Sequence, residues 1–275
     1  MTLLDESFDV IEPNLLRWIV PGFLPAGKIV LLTGDGGCGK SSIALSIAAD
    51  GSRGRPALGL QYDAASFETL LISCEDDPSG TIAPRLFSHD ADMSRVRRIK
   101  SASDGLKNVG FHLGQVGFLR KFLQARNGIR LIVVDPAPAF VWAARADDHR
   151  ESELRSLLGP LSDLATEFDV TFLLLVSLNS GAGYKSAVRA PGVAGYVNVS
   201  RAAFLVVDDP DDRERRWIRP LKTNLSASPP AIAYRLTSLE ADEAAAAVAR
   251  MPKLPESDKA AMSASLYRVV WDTSV

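Results

Sequence analysis

Ile29-Val-Leu-Leu-Thr-Gly-Asp-Gly-Gly-Cys-Gly-Lys-Ser-Ser42 decides the fold. An apolar run ends in a glycine-rich turn, and Lys40-SSIALSIAAD then shows helical spacing. Gly34 to Ser41 match the pattern G-x-x-x-x-G-K-[ST] in full. Gly34, Gly36, Gly37 and Gly39 let the backbone curl so that successive N–H groups point at one anion. A helix beginning at Lys40 adds its positive end. The plain alternative is a glycine-rich turn of no special function. A complete match lying directly between strand and helix argues against it.

Further apolar runs follow at intervals, each ending on polar residues: Thr69 to Glu75, Leu131 to Asp135 and Val170 to Ser177. Helices are expected from Pro78 or Ser79 to Ser88, over 109–126 and over 150–167, with a short strand over 96–100. Continuous apolar strands alternating with helices imply an α/β protein with a parallel sheet covered on both faces. Ligands of such sheets sit at the carboxyl ends of the strands. Runs at 201–207, 217–224 and 231–236, joined by turns, predict antiparallel strands added near the C-terminus. The chain divides into an N-terminal arm or short helix (1–26), a core (27–238) and a peripheral tail with a helix and a loose end (239–275).

Two acids stand at strand ends. Asp135 is placed to hold the water shell of Mg²⁺ beside a phosphate loop, although Asp is also a common cap or turn residue. Glu75 is placed to act as a general base on water. The alternative is that Glu75, Asp76 and Asp77 decorate the start of the next helix, where negative charge is favourable. Lys40 supplies a point charge for phosphate, and Ser41 a hydroxyl for Mg²⁺.

Composition removes other classes. Lys plus Arg is 31 against 33 for Asp plus Glu, a formal charge of −2, which argues against a lone basic nucleic-acid binder. No stretch approaches the ~20 apolar residues of a membrane helix. The acidic start MTLLDESFDV is not that of a signal peptide. Two cysteines, Cys38 and Cys74, build no disulfide framework and favour a reducing, cytoplasmic setting. Their positions, Cys38 inside the phosphate loop and Cys74 just before Glu75, suggest that thiol oxidation inhibits. Three separated histidines give no zinc spacing.

The order of these motifs, then Glu75-Asp-Asp-Pro, Arg85-Leu86, Val133-Val-Asp-Pro136, Arg189-Ala-Pro-Gly192, Arg201 and Lys222-Thr-Asn224, resembles RecA-like P-loop ATPases of the RepA hexameric-helicase type. The resemblance spans about residues 15–236. It implies ATP and Mg²⁺ as ligands, contacted by Gly34, Gly36, Gly37, Cys38, Gly39, Lys40, Ser41 and Ser42. It implies Glu75 as the base, Arg85 near the active site, and Asp135 with Ser41 at the metal. Arg201 is similar to a finger reaching a neighbouring subunit's ATP, and Lys222 to a second such cation. Ser177 stands where the family usually carries a histidine that senses the γ-phosphate, and Val193 replaces a common Ser.

The expected function is a ring-forming, hexameric, ATP-driven motor acting on single-stranded DNA, with replication proteins as further partners. Residues 178–198 would line the channel, Lys185 and Arg189 on phosphates and Tyr184 or Tyr196 on bases; a plain surface connection is the alternative. A nucleotide-gated switch or scaffold of a mobile element is the second reading. A small-molecule kinase, with Arg95, Arg97 and Arg98 as its arginine cluster, is the third.

Overall fold

The computed structural model describes residues 7–10, 12–13, 15–100, 102–103, 108–144, 151–178 and 193–273. Strand β3 (Ile29–Gly34) is buried along its whole length, and its residues alternate between two cores. Ile29 and Leu31 enter one, Val30 and Leu32 the other. Strands β8 (Ile129–Asp135) and β9 (Thr171–Ser177) alternate likewise: Ile132, Val134, Phe172 and Leu174 face one side, and Leu131, Val133, Leu173 and Leu175 the other. Period-two alternation of apolar residues on both faces requires helices on both faces. They are α1 (Lys40–Arg53) and α2 (Ala83–Ser88) on one side. On the other lie α3 (Val116–Gln124), α4 (Ala137–Trp142), α5 (Glu151–Phe168) and the helix Ala194–Val199.

The main sheet has nine strands in the order β13-β12-β11-β10-β3-β9-β8-β4-β5. Strands β4 (Glu68–Ser73), β5 (Val96–Arg98) and β10 (Ala202–Asp208) complete its parallel part. Strands β11 (Arg215–Thr223), β12 (Ile232–Ser238) and β13 (Tyr267–Asp272) are antiparallel to their neighbours. This is the expected α/β class, a mostly parallel sheet with antiparallel strands added late. Residues Ala102–Ser103 (β6) and Asn108–Val109 (β7) pair separately.

Three segments differ from expectation. The arm forms no helix over its apolar run; Trp18–Val20 (β1) pairs with Leu24–Pro25 (β2), and Phe23 stacks on Phe204 at 4.9 Å. Pro21 and Gly22, with Gly22 at φ +76°, favour this reversal over a helix. The helix expected over 109–126 begins only at Val116, because the Leu113 N–H bonds the Phe140 carbonyl instead of a helical partner. Phe111 and Leu113 are still buried there. The loose end expected after a helix in 239–275 is, as far as the described residues reach, an ordered part of the fold. Helices Ala241–Ala249 and Glu256–Ser265 lead back into β13, which becomes the ninth strand beside β12. Among the described residues no helix is long and apolar enough to cross a membrane.

Candidate active site

The phosphate loop closes β3 and opens α1. Gly37 and Gly39 have φ of +77° and +96°, the left-handed region open to glycine. No side chain caps the amino end of α1, so its first N–H groups remain available to an anion. No atom lies within 4 Å of where a Cβ on Gly36 or Gly37 would stand, so this edge of the loop is open. Its back is braced. A Cβ on Gly34 would stand 2.8 Å from the Val206 carbonyl oxygen, and the Tyr234 hydroxyl donates to the Cys38 carbonyl. Lys40 is buried and folds back on the loop, Nζ donating to the carbonyls of Gly34 at 3.0 Å and Asp35 at 2.8 Å.

Parallel pairing brings the ends of β4 and β8 together, with Ser73 opposite Asp135. Burial pushes the Asp135 carboxyl up; the Ser41 hydroxyl, bonded to it, opposes this, while Glu75 and Asp76 add to it. A half-buried carboxylate facing two other acids and a hydroxyl is a place that a cation would relieve. The oxygen donors Ser41 and Asp135 suit Mg²⁺, which takes few protein ligands and completes its shell with water and phosphate.

Glu75 is exposed at the mouth. The EDDP acids divide their work. Asp77 is a helix cap, its carboxylate accepting from the N–H groups of Ser79 and Gly80. Asp76 is no decoration: it accepts from Arg85 at 2.8 Å. Arg85 also lies over the Tyr267 ring, 5.4 Å from its centroid.

These groups line a cleft of about 320 Å³. Of the residues singled out in the sequence, it gathers Gly36, Gly37, Gly39, Lys40, Ser41, Ser42, Glu75, Arg85, Asp135 and Ser177. Gly34 and Cys38 support the loop from behind. Sequence reasoning missed Ser73, Asp76, Leu236 and Tyr267 as lining residues. Asp76 adjoins Glu75 and Ser73 ends β4, so both were within reach of a strand-end argument. Nothing local marks Leu236 or Tyr267.

Arg201 and Lys222 are elsewhere. The Arg201 N–H bonds the Ile29 carbonyl, at the start of β3, and the phosphate loop lies about 16 Å along that strand. Lys222 donates to the carbonyls of Val197 at 2.9 Å and Asn198 at 3.1 Å, at the end of the helix Ala194–Val199. Burial lowers its pKa, and Arg201 and Arg155 lower it further, so three cations gather there. Tyr196 is fully buried, which corrects its reading as a base-stacking residue. Lys185, Arg189 and Tyr184 lie outside the described residues. Arg97 pairs with Glu68 at 2.7 Å and Arg95 with Asp92 at 3.7 Å; neither they nor Arg98 line the cleft.

The family model for the AAA domain matches residues 1–179, about two thirds of the chain. The chain belongs to the AAA domain family. It is an ATPase of the P-loop type, and a phosphate loop facing an acid-lined cleft is the matching geometry. The AAA domain match takes in the phosphate loop, Glu75, Arg85, Asp135 and Ser177, and stops before Arg201, Lys222, Leu236 and Tyr267. No curated protein matches the chain.

Proposed function

We propose that the protein is an ATP-hydrolysing motor that assembles into a ring, a hexamer by its resemblance to RepA-type helicases, and acts on single-stranded DNA. The observation that carries the ring is the distance between two sets of charged groups. Arg201 and Lys222 lie at the opposite end of the sheet from their own cleft, so any part they take in hydrolysis is played at the cleft of another copy; ordinary surface charge is the alternative. An arginine supplied in trans contributes on the order of 10³–10⁵ in rate.

In this reading the N–H groups of the loop and Lys40 hold the triphosphate. Ser41 and Asp135 would hold Mg²⁺, which neutralises phosphate charge when bound. Glu75 orients a water and accepts its proton as the water oxygen bonds the γ-phosphorus and the bond to the ADP oxygen breaks. Lys40 must first leave the Gly34 and Asp35 carbonyls.

Mixing single-defect chains tests the ring. Lys40→Ala and Arg201→Ala chains are each expected to be inactive alone. Mixed, they restore part of the ATP turnover, because an Arg201→Ala cleft can meet a Lys40→Ala neighbour's arginine. Absence of complementation, with both variants folded, would exclude the trans role. Size measurement with and without ATP reads the assembly directly.

A second reading, a nucleotide-gated switch or scaffold, is favoured by Ser177. It lines the cleft with a hydroxyl that cannot carry charge, where the resemblance expects a histidine. ATPase activity without stimulation by single-stranded DNA, and without duplex unwinding, would support the switch over the motor.

A further inference from the structure

Arg85 is held at two points. Asp76 takes its Nη1 at 2.8 Å, and the Tyr267 ring lies 5.4 Å from its guanidinium carbon. Asp76, Arg85 and Tyr267 all line the cleft that contains Lys40, Ser41, Glu75 and Asp135. A guanidinium over an aromatic face is attracted by the ring quadrupole and kept in a fixed plane. The Asp76 contact alone leaves it free to rotate about one hydrogen bond.

Tyr267 opens β13, where Ser238 of β12 is its partner. Strand β13 runs against β12, so it begins at the end of the sheet that carries the phosphate loop. Its seat does not depend on the Tyr267 ring. The Val269 N–H donates to His89 Nε2 at 3.4 Å, at the end of α2. Arg268 pairs with Glu243 at 2.8 Å, and Trp271 packs on Tyr234 with centroids 5.8 Å apart. Leu266, just before the strand, is buried among Ala244, Ala247 and Val248. The strand is thus anchored on α2 and on the helix Ala241–Ala249.

We propose that Tyr267 is a positioning residue for ATP hydrolysis: β13 holds the Arg85 guanidinium in the plane in which it meets the phosphate end of the nucleotide. The proposal rests on the cleft being the site of turnover. It makes a strand outside the family match part of the working site.

The test is a double-mutant cycle on the full chain, with ATP turnover and nucleotide binding both measured. Tyr267→Phe keeps the ring and is expected to keep kcat. Tyr267→Leu is expected to lower kcat about threefold to thirtyfold, the range for a partly desolvated cation–π contact, with nucleotide affinity little changed. In an Arg85→Ala background the same Tyr267→Leu change is expected to add nothing. Thermal melts show whether each variant is folded. Equal losses with and without Arg85, or an equal loss in Tyr267→Phe, would overturn the proposal. Lys40→Ala separates the two levels: if it leaves turnover intact, the cleft reading itself fails; if it abolishes turnover while the cycle is additive, only the role of Tyr267 fails.

Discussion

At the scale of single residues, the cleft contains cations that are already engaged. Lys40 bonds two loop carbonyls and Arg85 bonds Asp76. Removing one partner has a readable effect. Asp76→Asn is expected to weaken the hold on Arg85 and to alter turnover without abolishing nucleotide binding, as followed by equilibrium binding beside the ATPase rate. Glu75→Gln is expected to keep nucleotide affinity and to lower kcat by about 10²- to 10⁴-fold, the usual contribution of a positioned general base. The thiols tell a different story from their places in the sequence. Burial pushes the Cys38 thiol up, against the pull of Lys40. Burial, then Glu75 and Asp135, push Cys74 up. The reactive thiolate is therefore scarce at neutral pH. Iodoacetamide at pH 7 is expected to label exposed Cys74 slowly and to leave buried Cys38 untouched in the folded chain, as read by peptide mass spectrometry.

At the scale of elements, α1 carries a conflict between propensity and packing. Gly51 is buried within the helix, and a Cβ there would stand 2.0 Å from the Phe67 ring. Helix propensity alone favours Ala by about 1 kcal/mol. Overpacking costs about 1–3 kcal/mol, so Gly51→Ala is expected to lower stability in a denaturant melt. The far end of α1 also sets a pH response. Asp50 is raised to about 6 by burial, against the pull of Arg55. His89 is lowered to about 4 by burial, with Arg268 and Arg55 adding to it. The unfolded chain protonates histidine near 6.5, so His89 loses stability as pH falls from there toward 4. Asp50 acts oppositely: its folded form takes up a proton first, so its burden is relieved as pH falls through 6. The two partly cancel in the wild type. Asp50→Asn is expected to steepen the acid loss, and His89→Gln to flatten it, in melts at pH 7, 6 and 5.

How far the sequence could be read depended on the range of the interaction. The phosphate loop, the parallel strands and Asp135 follow from local pattern, because glycine spacing and apolar alternation are set within a few residues. Ten proposed ligand-contacting residues line one cleft, since they all stand at strand ends or on the helices that follow. Arg85 was legible as a neighbour of the site, but its two partners were not equally so. Asp76 lies beside Glu75. Tyr267 reaches Arg85 only through the pairing of β13 with β12, a long-range contact that no spacing announces. The segment before α3 misled for the same reason: its apolar spacing imitates a helix, while the Phe140 carbonyl takes the Leu113 N–H.

At the scale of the whole molecule, the sheet separates two ends. The cleft lies at the carboxyl ends of the parallel strands, and the cations Arg201, Lys222 and Arg155 gather toward the other. That polarity is what a head-to-tail interface uses, and such interfaces close into rings when the rotation allows. Light scattering with ATP is expected to show a larger species than without it, and Arg201→Ala is expected to reduce the difference.

The position of β13 in the chain has a consequence for synthesis. Translation delivers the phosphate loop early and Tyr267 only after the other eight strands of the main sheet. A nascent chain on the ribosome therefore displays the anion cradle long before the wall opposite Arg85 exists. Nucleotide met at that stage finds the loop without the Tyr267 contact, and on the role proposed for that residue the full rate of turnover waits for the final strand.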